Sequence, residues 1–229
     1  LDKFPNTLRL ALAAIVIEIF FGIAAGLISA IKRYSFWDVL VTFSTSVLVA
    51  LPVFWLGMLL QMLFGLKFKQ WGLPYLPLSG MRGDAFPDIV YLILPAVTLA
   101  SVSTAYAARI MRSQLLEVMG QDYMRTAAAK GLSGAQVIWG HGMKNAMIPV
   151  VTYFGLDLGA MMGGTVLTET VFNWPGIGYE IFLAIGKRDW PIVMGATIII
   201  VLIVMVLNLL VDISYAFLDP RIRYGRQAA

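Results

Sequence analysis

Ile192-Val-Met-Gly-Ala-Thr-Ile-Ile-Ile-Val-Leu-Ile-Val-Met-Val-Leu-Asn-Leu-Leu-Val-Asp-Ile-Ser-Tyr-Ala-Phe217 decides how the whole chain is read, because Asp212 is the only charged residue in it. An α-helix rises 1.5 Å per residue, so crossing the hydrocarbon core takes about 20 consecutive apolar residues, and this run supplies them. Four similar runs precede it, roughly Leu8 to Ile31, Val39 to Phe64, Ile89 to Ala108 and Ala146 to Leu167. Strands of a membrane β-barrel would instead alternate in character over segments of about ten residues. The pattern predicts an all-α membrane protein, a polytopic helix bundle with five spans. Pro52, Pro95 and Pro149 fall in or at the ends of these runs. Spans tolerate proline there, because neighbouring helices can satisfy the freed carbonyls.

Composition agrees. Of the 229 residues, 59% are hydrophobic and 13% charged, with a mean hydropathy of +0.81. A soluble domain carries about 25% charged residues. No core with ordinary surface-to-volume scaling absorbs that much apolar surface, so lipid is the solvent for part of the chain. The formal charge of +4 does not indicate nucleic acid, since the basic residues form short clusters beside apolar runs. Without cysteine there are no disulfides and no thiolate-bound metals, and His141 as the one histidine cannot build a histidine metal cluster. Leu1 to Thr7 lacks the pattern of a signal peptide. The chain opens on Leu1 rather than Met, and a missing N-terminal portion is expected.

Basic residues set the expected orientation. Lys32 and Arg33 follow the first run, Arg109, Arg112, Arg125, Lys130 and Lys144 lie between the third and fourth, and Arg221, Arg223 and Arg226 end the chain. That bias places these segments and the C-terminus in the cytoplasm and the first observed residues outside. Trp71, Trp174 and Trp190, in Gly- and Pro-rich connections on the other side, are expected at the outer headgroup level.

Residues 109–145 are too long for a simple inter-helix loop, and such connections are often functional. They read as a helix leaving the membrane from Arg109 to Met119, a break at Gly120, and a short helix from Tyr123 to Lys130. Asp122 is expected to cap its start and Gly131 to end it in the left-handed conformation. Ser133-Gly-Ala-Gln136 has capping-box spacing and restarts a helix. A two-turn helix with alanines on its surface fits a groove on another protein, and it is too short to be stable alone.

Asp122-Tyr-Met-Arg-Thr-Ala-Ala-Ala-Lys-Gly131, followed by His141-Gly-Met-Lys-Asn-Ala146 and Pro149, resembles the EAA loop of type I ABC importer permeases, in particular the dipeptide, oligopeptide, nickel and glutathione branch. Further matches are Phe4-Pro-Asn-Thr7, Leu51-Pro-Val-Phe-Trp55, Thr168-Glu-Thr-Val-Phe172, Trp174-Pro-Gly-Ile-Gly178, Arg188-Asp189, Asn208-Leu-Leu-Val-Asp212 and Asp219-Pro-Arg-Ile-Arg223. The resemblance implies one transmembrane permease domain over residues 1–229, lacking the family's first helix, with a cytoplasmic coupling loop at 109–145. It implies a multi-pass protein of a bacterial or archaeal cytoplasmic membrane. A second homologous permease subunit, two ATP-binding subunits and an extracytoplasmic solute-binding protein are the implied partners. Asp122, Tyr123, Arg125, Thr126, Ala127, Ala128, Lys130 and Gly131 are then ATPase-coupling residues, with His141 and Asn145 orienting the loop. Arg125 stands where the general pattern has glutamate, as is common in the dipeptide branch. ATP and Mg belong to the ATP-binding subunits, so no cofactor is expected here, nor catalysis: phosphate-cradling Gly-x-x-x-x-Gly-Lys-Ser/Thr, Gly-x-Ser-x-Gly and His-Glu-x-x-His are all absent.

Acids within spans are costly and should face protein or water. Glu18, Asp157 and Asp212 are candidates to line the translocation path and meet a cationic group. The alternative role is hydrogen bonding between helices, for Asp212 with Asn208 four residues earlier. Glu169 is expected either to meet a solute-binding protein or to touch the Trp174-Pro-Gly turn. Gly159-Ala-Met-Met-Gly163 has the spacing of a helix-packing motif. The competing class is a stand-alone secondary transporter or channel, which would favour internal repeats or ion-binding residues near the midplane.

Overall fold

A computed structural model describes residues 2–218, without the side chains of residues 164, 212 and 214–218. Ten α-helices run in chain order among these residues: α1 Phe4–Ile31, α2 Phe36–Ala50, α3 Val53–Leu60, α4 Phe68–Gln70, α5 Asp88–Met119, α6 Asp122–Ala129, α7 Gly134–Val137, α8 Met143–Phe172, α9 Ile177–Lys187 and α10 Trp190–Leu218. Wider π-helical turns, Gln61–Lys67 and Ile138–Gly142, join α3 to α4 and α7 to α8. Four helices are long and apolar enough to cross a membrane, and a fifth span exists if the bent pair α2 and α3–α4 counts as one.

The apolar run Val39 to Phe64 is thus divided between two helices that meet at a bend. The chain turns by 109° between Phe36–Ala50 and Val53–Gln70. Leu51 and Pro52 are both extended, with ψ of 131° each. Proline disfavours helical geometry in the residue before it, and its own nitrogen has no proton to continue the ladder. Pro95 and Pro149 lie inside α5 and α8 without ending them.

The core is built where α1, α5 and α8 meet. Small residues bring α1 and α5 together side by side in the same direction. A methyl group on Gly22 would stand 2.6 Å from Ala107 Cβ, and one on Gly26 would stand 2.5 Å from the Ala108 carbonyl oxygen. Leu10, Ala14, Ala100, Met111 and Val150 are fully buried in this seam. Helix α10 contributes little to it, and its most apolar window has no buried residue. Its exposed Ile198, Val201, Leu202 and Met205 present the apolar surface that a span offers to lipid or a neighbouring subunit. In the Gly159-Gly163 motif only the first glycine packs closely: Asn208 of α10 occupies the space of a Gly159 side chain, while Gly163 faces open space.

Candidate functional site

Helix α6 sits in the connection between α5 and α8, and its two faces differ. Met124 and Ala127, three residues apart, are buried and belong to one apolar cluster with Leu115 and Val137. A methyl group on Gly142 would meet Met124 Cε at 3.1 Å and Leu115 Cδ1 at 3.6 Å, so glycine in the π-helical turn admits the α6 side chains. Tyr123, Arg125, Thr126, Ala128 and Lys130 are exposed. Helical spacing therefore removes Ala127 from the residues available to a partner: its surface is spent on the protein's own bundle.

The expected start of α6 also needs correction. Gln121 is the N-cap, with ψ of 150°, and no side chain caps the helix. Asp122 instead occupies the first turn, where its charge suits the positive end of the helix dipole. It stands 3.7 Å from Arg125 Nη1 in a solvent-exposed pair, and such pairs add little stability. The far end follows expectation: Gly131 has a φ of +84°, and Ser133 and Gln136 complete the capping box. Tyr123 is tied to α8, its hydroxyl accepting a hydrogen bond from Asn145 Nδ2 at 2.8 Å. The His141 side chain is exposed in the π-helical turn and makes no hydrogen bond among the described residues, whereas Asn145 ties α8 to α6. Lys130 is likewise without an ion pair among the described residues.

At the same end of the bundle lies a cluster that the sequence analysis used only for its charge. Arg112 of α5 donates from Nε to Asp38 Oδ1 at 2.8 Å and from Nη2 to Asp38 Oδ2 at 2.9 Å. Ser29 of α1 donates to the same carboxylate at 2.5 Å, and the Tyr34 amide does so at 2.9 Å. One carboxylate thus joins α1, α2 and α5 beside the exit of the coupling segment. The sequence signal was available, since Asp38 stands alone at the edge of an apolar run.

At the opposite end, three motifs that look unrelated in sequence form one knot. Glu169 is fully buried and accepts from Thr7 Oγ1 at 2.7 Å and from the Tyr179 amide at 2.9 Å. Thr7 Oγ1 in turn accepts from the Ile177 amide at 2.9 Å. Asn6 Nδ2 donates to the Pro175 carbonyl at 2.8 Å, and Trp174 Nε1 donates to the Asn6 carbonyl at 2.9 Å. The Glu169 carboxylate fills the space where side chains on Gly176 and Gly178 would be. Of the two contacts considered for Glu169, the Trp174-Pro-Gly turn is the one present. Trp174 is 2% exposed, which overturns its placement at the headgroups. Trp71 and Trp190 are exposed.

The intramembrane acids are placed unequally. Glu18 and Asp157 face one another across α1 and α8, although Glu18 has 0% exposure. Its side chain therefore lines no surface, whereas Asp157 is half-buried. The side chain of Asp212 lies outside the described residues.

Two solved structures share this architecture, each at 14% sequence identity. One is an amino acid ABC transporter with histidines, covering 93% of this chain and 90% of its own with a TM-score of 0.71. The other is the inward-facing MetNI methionine ABC transporter, covering 95% of both chains with a TM-score of 0.69. Sequence relatives are nearer. The di/tripeptide transport system permease protein of Pseudomonas aeruginosa (strain UCBPP-PA14) is 40% identical over 99% of this chain and 73% of its own length. An oligopeptide transport system permease protein of Bacillus subtilis (strain 168) is 39% identical over 97% and 70%. The dipeptide transport system permease protein of Escherichia coli (strain K12) is 36% identical over 98% and 72%. Residues 22–224 match the model of the binding-protein-dependent transport system inner membrane component, and this chain belongs to that family.

Proposed function

We propose that this chain is the permease subunit of an ATP-driven importer of peptide-like solutes and that α6 is its contact with an ATP-binding subunit. The observation that carries the reading is the two-faced α6. Met124 and Ala127 fix it to the bundle, while Tyr123, Arg125, Thr126, Ala128 and Lys130 form an open face of modest bulk. A helix anchored in this way transmits a push on its outer face to α5 and α8, which it joins. The family match and the names of the relatives support transport of peptide-like solutes that depends on a binding protein. The working assembly has a second, similar permease subunit, two ATP-binding subunits and a solute-binding protein outside, with the C-terminus of this chain in the cytoplasm. ATP and Mg act on the ATP-binding subunits, and this chain hydrolyses nothing.

Affinity purification of the full-length chain from native membranes tests the assembly. The wild-type protein is expected to bring down ATP-binding subunits and a second permease. Ala128→Trp, which adds bulk to the open face of α6 without touching its buried face, is expected to lose the ATP-binding subunits and keep the permease partner. Retention of both partners with transport intact would contradict the assignment of α6.

A further inference from the structure

Glu18 and Asp157 present a problem that the importer reading does not address. Glu18 has 0% exposure, and neither of its carboxylate oxygens has a hydrogen-bond donor. Asp157 Oδ2 is buried and lacks a donor as well. Each acid lies midway along its helix, about 20 Å from either end at 1.5 Å per residue. Their side chains meet within hydrogen-bonding reach, yet two ionised carboxylates are both acceptors and cannot bond one another.

Among the described residues, no cation on the helices around them reaches them. Helix α1 has no Lys or Arg beyond Arg9, α5 has none before Arg109, and α8 has none after Lys144. Arg109 points away, its guanidinium donating to Ser46 Oγ at 3.0 Å and lying 3.3 Å from Thr45 Oγ1. Tyr153 of α8 stands beside both acids and hydrogen-bonds Asp157, its hydroxyl also lying 3.4 Å from the Ser103 carbonyl, but it supplies no positive charge and leaves Glu18 without a donor. Two unpaired negative charges in an apolar interior are prohibitively costly, and neighbouring carboxylates that share a site do not both ionise.

We propose that Glu18 and Asp157 form a proton-binding site in the middle of the membrane, in which one proton is shared between the two carboxyl groups. One carboxyl then donates and the other accepts, the pair carries a single negative charge, and α1 is bonded to α8. The proton comes from water by way of Asp157, the partly exposed member. Any step of transport that parts these helices must move this proton or break its bond. The site stands whether or not α6 docks an ATPase.

Infrared difference spectroscopy of the complete complex in lipid nanodiscs tests the site, with deuterium oxide as the probe. The wild-type minus Glu18→Gln/Asp157→Asn spectrum is expected to contain one protonated-carboxyl band that shifts on deuteration. Should that double variant fail to assemble, Glu18→Gln alone serves, because its amide can still donate to Asp157 and the band is again expected to vanish. A difference spectrum containing only carboxylate bands would overturn the proposal, because both acids would then be ionised. A protonated-carboxyl band that survives in Glu18→Gln would also overturn it.

Discussion

At the scale of single residues, the buried polar groups of the knot and of the Asp38 cluster are tied by short bonds whose loss has a definite direction. Thr7 Oγ1 both donates to Glu169 and accepts from the Ile177 amide. Thr7→Val keeps the shape and leaves two buried polar groups with a missing partner, a loss of about 1–3 kcal/mol. Thermal unfolding of the purified complex should show that loss for Thr7→Val and a recovery for Thr7→Ser. Gly178→Ala places a methyl group 2.5 Å from Val166 Cα, and overpacking of this kind costs about 1–3 kcal/mol. Asp38 and Arg112 behave as a pair. Removing Arg112 strands the nearly buried Asp38 carboxylate and should cost about 1–3 kcal/mol, whereas removing Asp38 leaves a guanidinium that is 31% exposed and should cost less. The double change Asp38→Ala/Arg112→Ala should cost less than the sum of the two singles. Additive losses would show that the pair contributes nothing as a pair.

At the scale of elements, the Gly131 turn carries its own expectation. Its φ of +84° suits glycine, and no atom lies within 4 Å of an added Cβ. Gly131→Ala should therefore act through backbone strain alone, costing about 1 kcal/mol, and should loosen α6 without disturbing the spans. Hydrogen exchange over residues 122–131 would register it, with protection in α1 and α5 unchanged. This turn illustrates what was legible in advance. The spans, the helix that leaves the membrane before Gly120, and the end of α6 follow from apolar length and from local cap chemistry, both written in consecutive residues. Three features were not legible for a common reason. Whether Leu51-Pro52 bends a span or merely interrupts its ladder depends on what packs behind it, and Pro95 and Pro149 leave their helices continuous. Trp174 looked like a headgroup anchor because its partner, Asn6, is 168 residues away. Ala127 looked like a docking residue because three neighbouring alanines are alike until the helix is placed on Gly142, Val137 and Leu115.

At the scale of the whole molecule, the two ends of the bundle are built differently. One end is closed by the knot of Asn6, Thr7, Glu169 and Trp174, which ties the start of α1 to the α8–α9 turn. At the other end α6 projects an exposed face from an anchored base, beside the Asp38–Arg112 clamp of α1, α2 and α5. On the proposed reading, a push at α6 acts on α5 and α8, which it joins, and on α1 through the clamp, while the distant knot ties the other ends of α1 and α8. The central claim is that this push comes from an ATP-binding subunit against the outer face of α6. These 229 residues hold no cysteine, so single cysteines at Ala128 and Ala127 of the full-length protein, with any cysteine outside this stretch replaced, crosslinked with a short thiol reagent in native membranes, test it most directly. The account predicts that Ala128→Cys captures an ATP-binding subunit in a yield that changes with ATP or vanadate, while Ala127→Cys, facing the bundle, captures none. Free labelling of Ala128→Cys with no ATP-binding subunit in the adduct, while transport persists, would contradict it and favour a self-contained transporter.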